Sequence, residues 1–135
     1  MRLIACMLLL VGAACGGDSP TQPTSSSVAG TWSLQTINGT GLPYIVAQTG
    51  SDKVEVTSDV LTVVGSGSFT QITQVRVTQN GQVSTQSIPD AGSYVLNGTA
   101  VTFTFNSDGS SGTGSLSGNT LTIAEDGFAY VYRKQ

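Results

Sequence analysis

Histidine is absent from all 135 residues, and that removes the commonest nucleophile chemistry at once. Ser-His-Asp and Cys-His systems need an imidazole to take the nucleophile's proton, and His-ligated zinc needs it as a donor. General acid–base work would then fall to paired carboxylates. Asp52, Glu55 and Asp59 lie close together in the chain, as do Glu125 and Asp126. The second pair is adjacent at a turn, with nothing to mark a pocket around it, so no catalytic residue is expected. Asn106-Ser107-Asp108-Gly109 opens like a calcium loop, but Ser115 stands where the bidentate Glu belongs. A hairpin turn accounts for it, and neither a metal nor a cofactor is expected. Asn38-Gly39-Thr40 and Asn97-Gly98-Thr99 fit a glycosylation sequon, yet hairpin turns explain them fully. Five Lys and Arg against eight Asp and Glu give a net charge of −3 and leave no basic face for nucleic acid.

Little chemistry is thus left for side chains to perform, and the question becomes what the chain builds. Only 10% of residues are charged while 39% are hydrophobic, the reverse of a disordered composition. The length allows one domain and little more. Residues 1–14, MRLIACMLLLVGAA, place Arg2 before an apolar run and end it on small residues, the layout of a secretory signal peptide. The run is far short of the ~20 residues that span a bilayer as a helix. Val11-Gly12-Ala13-Ala14-Cys15 resembles the lipobox of bacterial lipoproteins, with Gly12 where Leu is usual. The resemblance implies that Cys15 is acylated and becomes the mature N-terminus. It also implies a lipid-anchored protein of the bacterial cell envelope, at the outer membrane in a Gram-negative host. Cleavage would remove Cys6, so no intramolecular disulfide could form. Residues 15–27 then read as the lipidated Cys and a tether, because GGDSPTQPTSSS offers no side chain to bury. A flexible chain of that length would span roughly 20 Å.

Residues 28–135 carry no convincing period of 3.6. Apolar and polar residues alternate instead, between tight-turn dipeptides. The first strand is expected over Gly30 to Ile37, with Trp32 and Leu34 on one face. Asn38-Gly39 then leads to a short strand holding Tyr44, Ile45 and Val46. Val54 and Val56 differ in parity from Leu61 and Val63, so the chain must either turn or bulge near Ser58-Asp59. A strand over Phe69 to Gln79 meets Asn80-Gly81, suited to a type I′ hairpin. Gln82 to Ser87 reads as a polar strand that Pro89-Asp90 interrupts. Five further strands follow over Gly92 to Leu96, Thr99 to Phe105, Gly112 to Ser117, Thr120 to Ala124 and Phe128 to Arg133. Their apolar face holds Tyr94, Leu96, Val101, Phe103, Phe105, Leu121, Ile123, Phe128, Tyr130 and Tyr132. An antiparallel meander of about eight to ten strands with one such face closes most simply into a barrel, with a two-sheet sandwich as the main alternative.

Gly30-Thr31-Trp32 at the head of the first strand resembles the G-x-W signature of lipocalins and related calycin barrels. The Asn-Gly and Leu-Pro that follow, and the later G-N-T-L hairpin, are similar to short bacterial lipocalin-like domains. Short META-type domains also open with a Trp strand followed by Asn-Gly. The lipocalin resemblance implies a small all-β barrel closed by pairing of its first and last strands. It places Trp32 under Arg133 or Lys134; of the two, Lys134 alternates in step with Tyr130 and Tyr132. A ligand cavity, if the barrel has one, would be lined by Tyr94, Phe103, Phe105, Tyr130 and Tyr132. Gly112 and Gly114 would either make room inside or let the sheet bend. Two functions follow: a non-catalytic, membrane-anchored protein holding a small hydrophobic ligand, or a solidly packed structural or interaction module of the envelope.

Overall fold

A computed structural model describes residues 27–135. The expected signal segment 1–14, Cys15 and the tether up to residue 26 lie outside the described residues. The described part is all β, with β1 Gly30–Ile37, β2 Thr40–Gly41, β3 Tyr44–Thr49, β4 Asp52–Val64 and β5 Ser68–Gln79 in its first half. β6 Gln82–Asn97, β7 Ala100–Phe105, β8 Ser111–Ser117, β9 Thr120–Glu125 and β10 Phe128–Lys134 complete it. Each of β4 to β9 pairs antiparallel with the next, and β1 pairs with both β10 and β4. Eight strands therefore close into a barrel, and the sandwich alternative falls away.

The turns that make this meander are chemical in origin. Asn38-Gly39, Asn80-Gly81 and Asp126-Gly127 all have positive φ at both residues, 50° and 78°, 51° and 77°, 48° and 81°. Such a backbone follows the right-handed twist of the flanking strands, and Asn, Asp and Gly tolerate it best. Asn38 also ties its turn to the last strand. Its N–H donates to the Ala129 carbonyl at 2.7 Å, and its Oδ1 accepts from the Ala129 N–H at 2.8 Å.

The parity change within β4 is a bulge. Register slips between Val56 and Ser58, with Thr57 as the extra residue, and its hydroxyl donates to the Gln74 carbonyl at 3.2 Å. Asp59, Leu61 and Val63 then face inward with Val56, and one bent strand continues throughout. A second bulge at Gln35 in β1 turns Ile37 inward after Trp32 and Leu34. Pro89 does not break β6, which pairs with β5 without interruption from Gln82 to Ser93. The reason is positional: β7 joins β6 only from Gly92 onward, so Pro89 sits where β6 is an edge and its missing N–H costs no bond on that side. Beyond the closed ring, β3, the first part of β4, the end of β5 and the start of β6 continue together as a projecting sheet.

Inside the ring the core gathers around Trp32, Phe69, Phe103, Ile37, Leu61, Leu121 and Val101, all essentially inaccessible. Phe69 meets Phe103 and Phe105 edge-on, each with centroids 5.2 Å apart. Glycine is required at position 92, because a Cβ there would overlap the Thr104 carbonyl oxygen and come within 2.8 Å of the Phe69 ring. Gly112 and Gly114 yield their inward space to Ile123, whose side chain lies 2.9 Å and 3.4 Å from where their Cβ atoms would stand.

Candidate functional site

At one end of the barrel β1 and β10 close over Trp32. Trp32 is opposite Lys134 in register, and the indole Nε1–H donates to the Val28 carbonyl at 2.8 Å. The Lys134 ammonium lies 5.3 Å from the ring centroid and donates to the Ser27 carbonyl at 2.8 Å. Gly30 makes this crossing possible, since a Cβ there would press within 2.7 Å of Lys134 Cε. Arg133 points the other way, is exposed and pairs opposite Ser33. Of the two residues offered for the lid, the geometry uses Lys134.

Between this plug and the opposite end the barrel holds a cavity of about 140 Å³. Its apolar wall comes from Leu34 and Ile37 of β1, Val56 and Leu61 of β4, Phe103 and Phe105 of β7, and Ile123 of β9. Phe103, Phe105, Tyr130 and Tyr132 of the expected lining are on it. Tyr94 is not, because its hydroxyl is drawn away to the Val64 carbonyl at 2.8 Å. Tyr94 instead stacks at a tilt on Phe103, with centroids 6.1 Å apart.

The remaining wall is polar, and β4, β5 and β10 supply it in register. Asp59 is directly opposite Thr73, and Leu61 opposite Gln71, so both β5 side chains project beside the carboxylate. Asp59 is only 4% exposed. Its Oδ2 accepts from Thr73 Oγ1 at 2.5 Å and from Gln71 Nε2 at 2.8 Å. The same amide reaches the Tyr132 hydroxyl at 3.3 Å. Asp59 Oδ1 is buried and accepts from no group among the described residues. Burial raises the Asp59 pKa, and the bonds from Thr73 and Gln71, with the Tyr132 hydroxyl beside them, only partly oppose that. Burial pushes the Tyr132 phenol well above its ordinary range, with the nearby Asp59 charge adding to it. Glu125, at the cavity's edge, is also shifted upward by burial, while the Ser110 hydroxyl donates to its Oε1 at 2.9 Å.

The carboxylates grouped by sequence do not converge. Glu55 lies on the face of β4 opposite the cavity, itself buried and held by Lys53 at 3.0 Å and Arg76 at 2.9 Å. Asp52 instead accepts the Asn80 backbone N–H at 2.8 Å. The Asn106–Gly109 segment is a hairpin turn, closed by the Phe105 N–H on the Ser110 carbonyl at 2.9 Å, with Asp108 Oδ1 capping the Ser110 N–H. Gln71 and Thr73 carry no motif and escape a sequence search. Their signal is positional: both alternate in step with Phe69, Val75 and Val77, polar residues set between apolar ones on one face of β5.

An eight-stranded antiparallel meander, plugged by a Trp at one end and holding a small mixed cavity, defines a calycin-type barrel. The chain belongs to the lipocalin-like domain family, whose model matches residues 28–123. No curated protein matches it. Among solved structures it is similar to an uncharacterized protein from Bacteroides eggerthii, at 16% identity, a TM-score of 0.46, and coverage of 81% of this chain and 100% of that one. It is also similar to the fatty-acid-binding protein 1 of Echinococcus granulosus, at 11% identity, a TM-score of 0.35, and coverage of 79% and 96%.

Proposed function

We propose that this protein is a non-catalytic binding protein of the bacterial cell envelope, anchored through acylated Cys15, that holds one small, mostly apolar molecule inside its barrel. The cavity carries the reading. Its volume of about 140 Å³ is close to the ~150 Å³ apolar cavity that accommodates a benzene ring. Its wall combines apolar surface with a few convergent polar groups, the usual composition of a small-molecule site. Lipocalin-like folds are typically binding domains rather than enzymes. Of the carboxylates grouped by sequence, one from each group, Asp59 and Glu125, reaches the cavity wall. The signal-like segment and the lipobox resemblance support the anchor.

Mass spectrometry of protein extracted gently from its native membrane tests the reading directly. A co-purifying molecule of up to roughly ten heavy atoms, lost on denaturation, is the expected result. Membrane fractionation of Cys15→Ser tests the anchor separately, and an unchanged membrane-bound fraction would refute it.

A second reading, an envelope interaction module, rests on the projecting sheet. There β6 is an unpaired edge before Gly92, and Ile72, Val83 and Ile88 are 49%, 64% and 49% exposed. Absence of any bound molecule together with recovery of a specific protein partner through this sheet would favour it.

A further inference from the structure

We propose that the barrel selects a small amphiphile bearing a protonated amine, whose ammonium docks on Asp59 Oδ1 while its apolar body fills the Phe103–Phe105 side of the cavity. The inference rests on the ligand-binding reading above and adds the ligand's chemical class. Its basis is an asymmetry in hydrogen bonding. Asp59 Oδ2 already takes two donors, from Thr73 and Gln71, whereas Oδ1, buried on a side chain that lines the cavity, has none among the described residues. A buried acceptor left unpaired costs free energy, and more so when it carries charge. A ligand ammonium would donate to Oδ1 and neutralise the carboxylate in the same contact. Such a charge-assisted bond is stronger than the neutral one an alcohol could offer.

The charge of the lining points the same way. Asp59 and Glu125 are both on it, and no Lys or Arg is. Every basic side chain among the described residues is committed elsewhere. Lys53 and Arg76 bind Glu55 on the face of β4 opposite the cavity, Lys134 covers Trp32, and Arg133 is exposed. A carboxylate ligand would therefore meet two acidic groups and no cation inside the barrel. A fatty acid is the wrong partner for this cavity.

The test is a calorimetric titration at neutral pH with four probes of one shape: benzylamine, benzyl alcohol, toluene and benzoate. Benzylamine, protonated at that pH, is expected to bind at least tenfold more tightly than benzyl alcohol or toluene, with benzoate weakest. Asp59→Asn keeps the shape of the side chain, and it should abolish the preference for benzylamine over toluene. The wild-type series decides the matter even where that variant does not fold. Toluene binding as tightly as benzylamine, or benzoate binding best, overturns the amine assignment and leaves the binding reading standing. Failure of all four probes to bind overturns both.

Discussion

Removing the Trp32 side chain attacks the barrel at the point where its ends meet, and the structure sets the size of the effect. The indole is wholly buried, the largest such side chain in the core. Truncating a buried aromatic to Ala costs about 3–5 kcal/mol through lost burial and the cavity left behind. Trp32→Ala would also strip the Val28 carbonyl of its donor, and an unsatisfied buried acceptor costs about 1–3 kcal/mol. That second cost is not added in full, because the range for truncating a buried Trp already includes the loss of its indole hydrogen bond. The ammonium of Lys134 loses its aromatic partner too, worth about 0.5–1 kcal/mol at an accessible site. A total near 4 kcal/mol is expected, a large share of a stability that typically lies at ~5–15 kcal/mol. In urea, with a slope of about 2 kcal/mol per molar, the unfolding midpoint should fall by about 2 M. Trp32→Phe fills most of the space and should lose about half as much. The wild-type indole supplies an independent readout: its emission should be blue-shifted and resistant to soluble quenchers. A loss below about 1.5 kcal/mol for Trp32→Ala, outside the range for buried aromatics, or freely quenched emission in the folded protein, would refute the closure argument.

Two further predictions concern packing and pH. Gly92→Ala should cost more than the ~1–3 kcal/mol usual for overpacking, because the added Cβ overlaps the backbone oxygen of Thr104 and no side-chain rotation relieves it. Gly65→Ala, with open space around it and an ordinary φ, is the control and should be neutral or slightly stabilising by urea titration. Stability should pass through a maximum under mildly acidic conditions, because two carboxylates respond with opposite sign. Asp59 has a raised pKa when folded, so its contribution improves as pH falls from neutral toward its unfolded value of 3.8. Glu55 is held at about 2 by hydrogen bonds from Arg76 and Lys53, so its contribution is complete above its unfolded value of 4.5 and is lost as pH falls toward 2. Asp59→Asn should reduce the gain on the neutral side, leaving the part that the raised Glu125 contributes, and Glu55→Gln should flatten the loss on the acid side. A monotonic profile from neutral to strongly acid pH in the wild type would contradict both assignments.

What could be read in the chain, and what could not, divides along physical lines. Asn-Gly and Asp-Gly turns announce themselves because few residues tolerate positive φ at two successive positions, and those turns alone order most of the meander. Lys134 could be preferred over Arg133 because side-chain parity carries unbroken from Tyr130 to the end of β10. Bulges leave no such mark. Gln35 and Thr57 are ordinary strand residues whose only effect is to change which neighbours face inward, and that effect appears only once the partner strand is known. For the same reason Pro89 looked like an interruption: whether a proline breaks a strand depends on whether a neighbour needs its N–H, which is a property of β7 rather than of β6.

The polar cluster shows this dependence most sharply. Asp59 was visible as a carboxylate, but grouped with Asp52 and Glu55 by nearness in the chain. The bulge at Thr57 sends Asp59 inward, whereas Glu55 lies on the opposite face of β4 with Arg76 and Lys53. Its actual neighbours are Gln71 and Thr73, twelve and fourteen residues on, with Tyr132 brought in through an amide contact that spans sixty-one. None of these residue types carries a motif. A charged residue on an inward-facing parity, flanked by Leu61 and Val63, was the one local clue. Placing an acid there spends stability that an apolar side chain would have kept. That cost needs a return, and a group that supplies Oδ1 with a proton donor and a compensating charge would provide one.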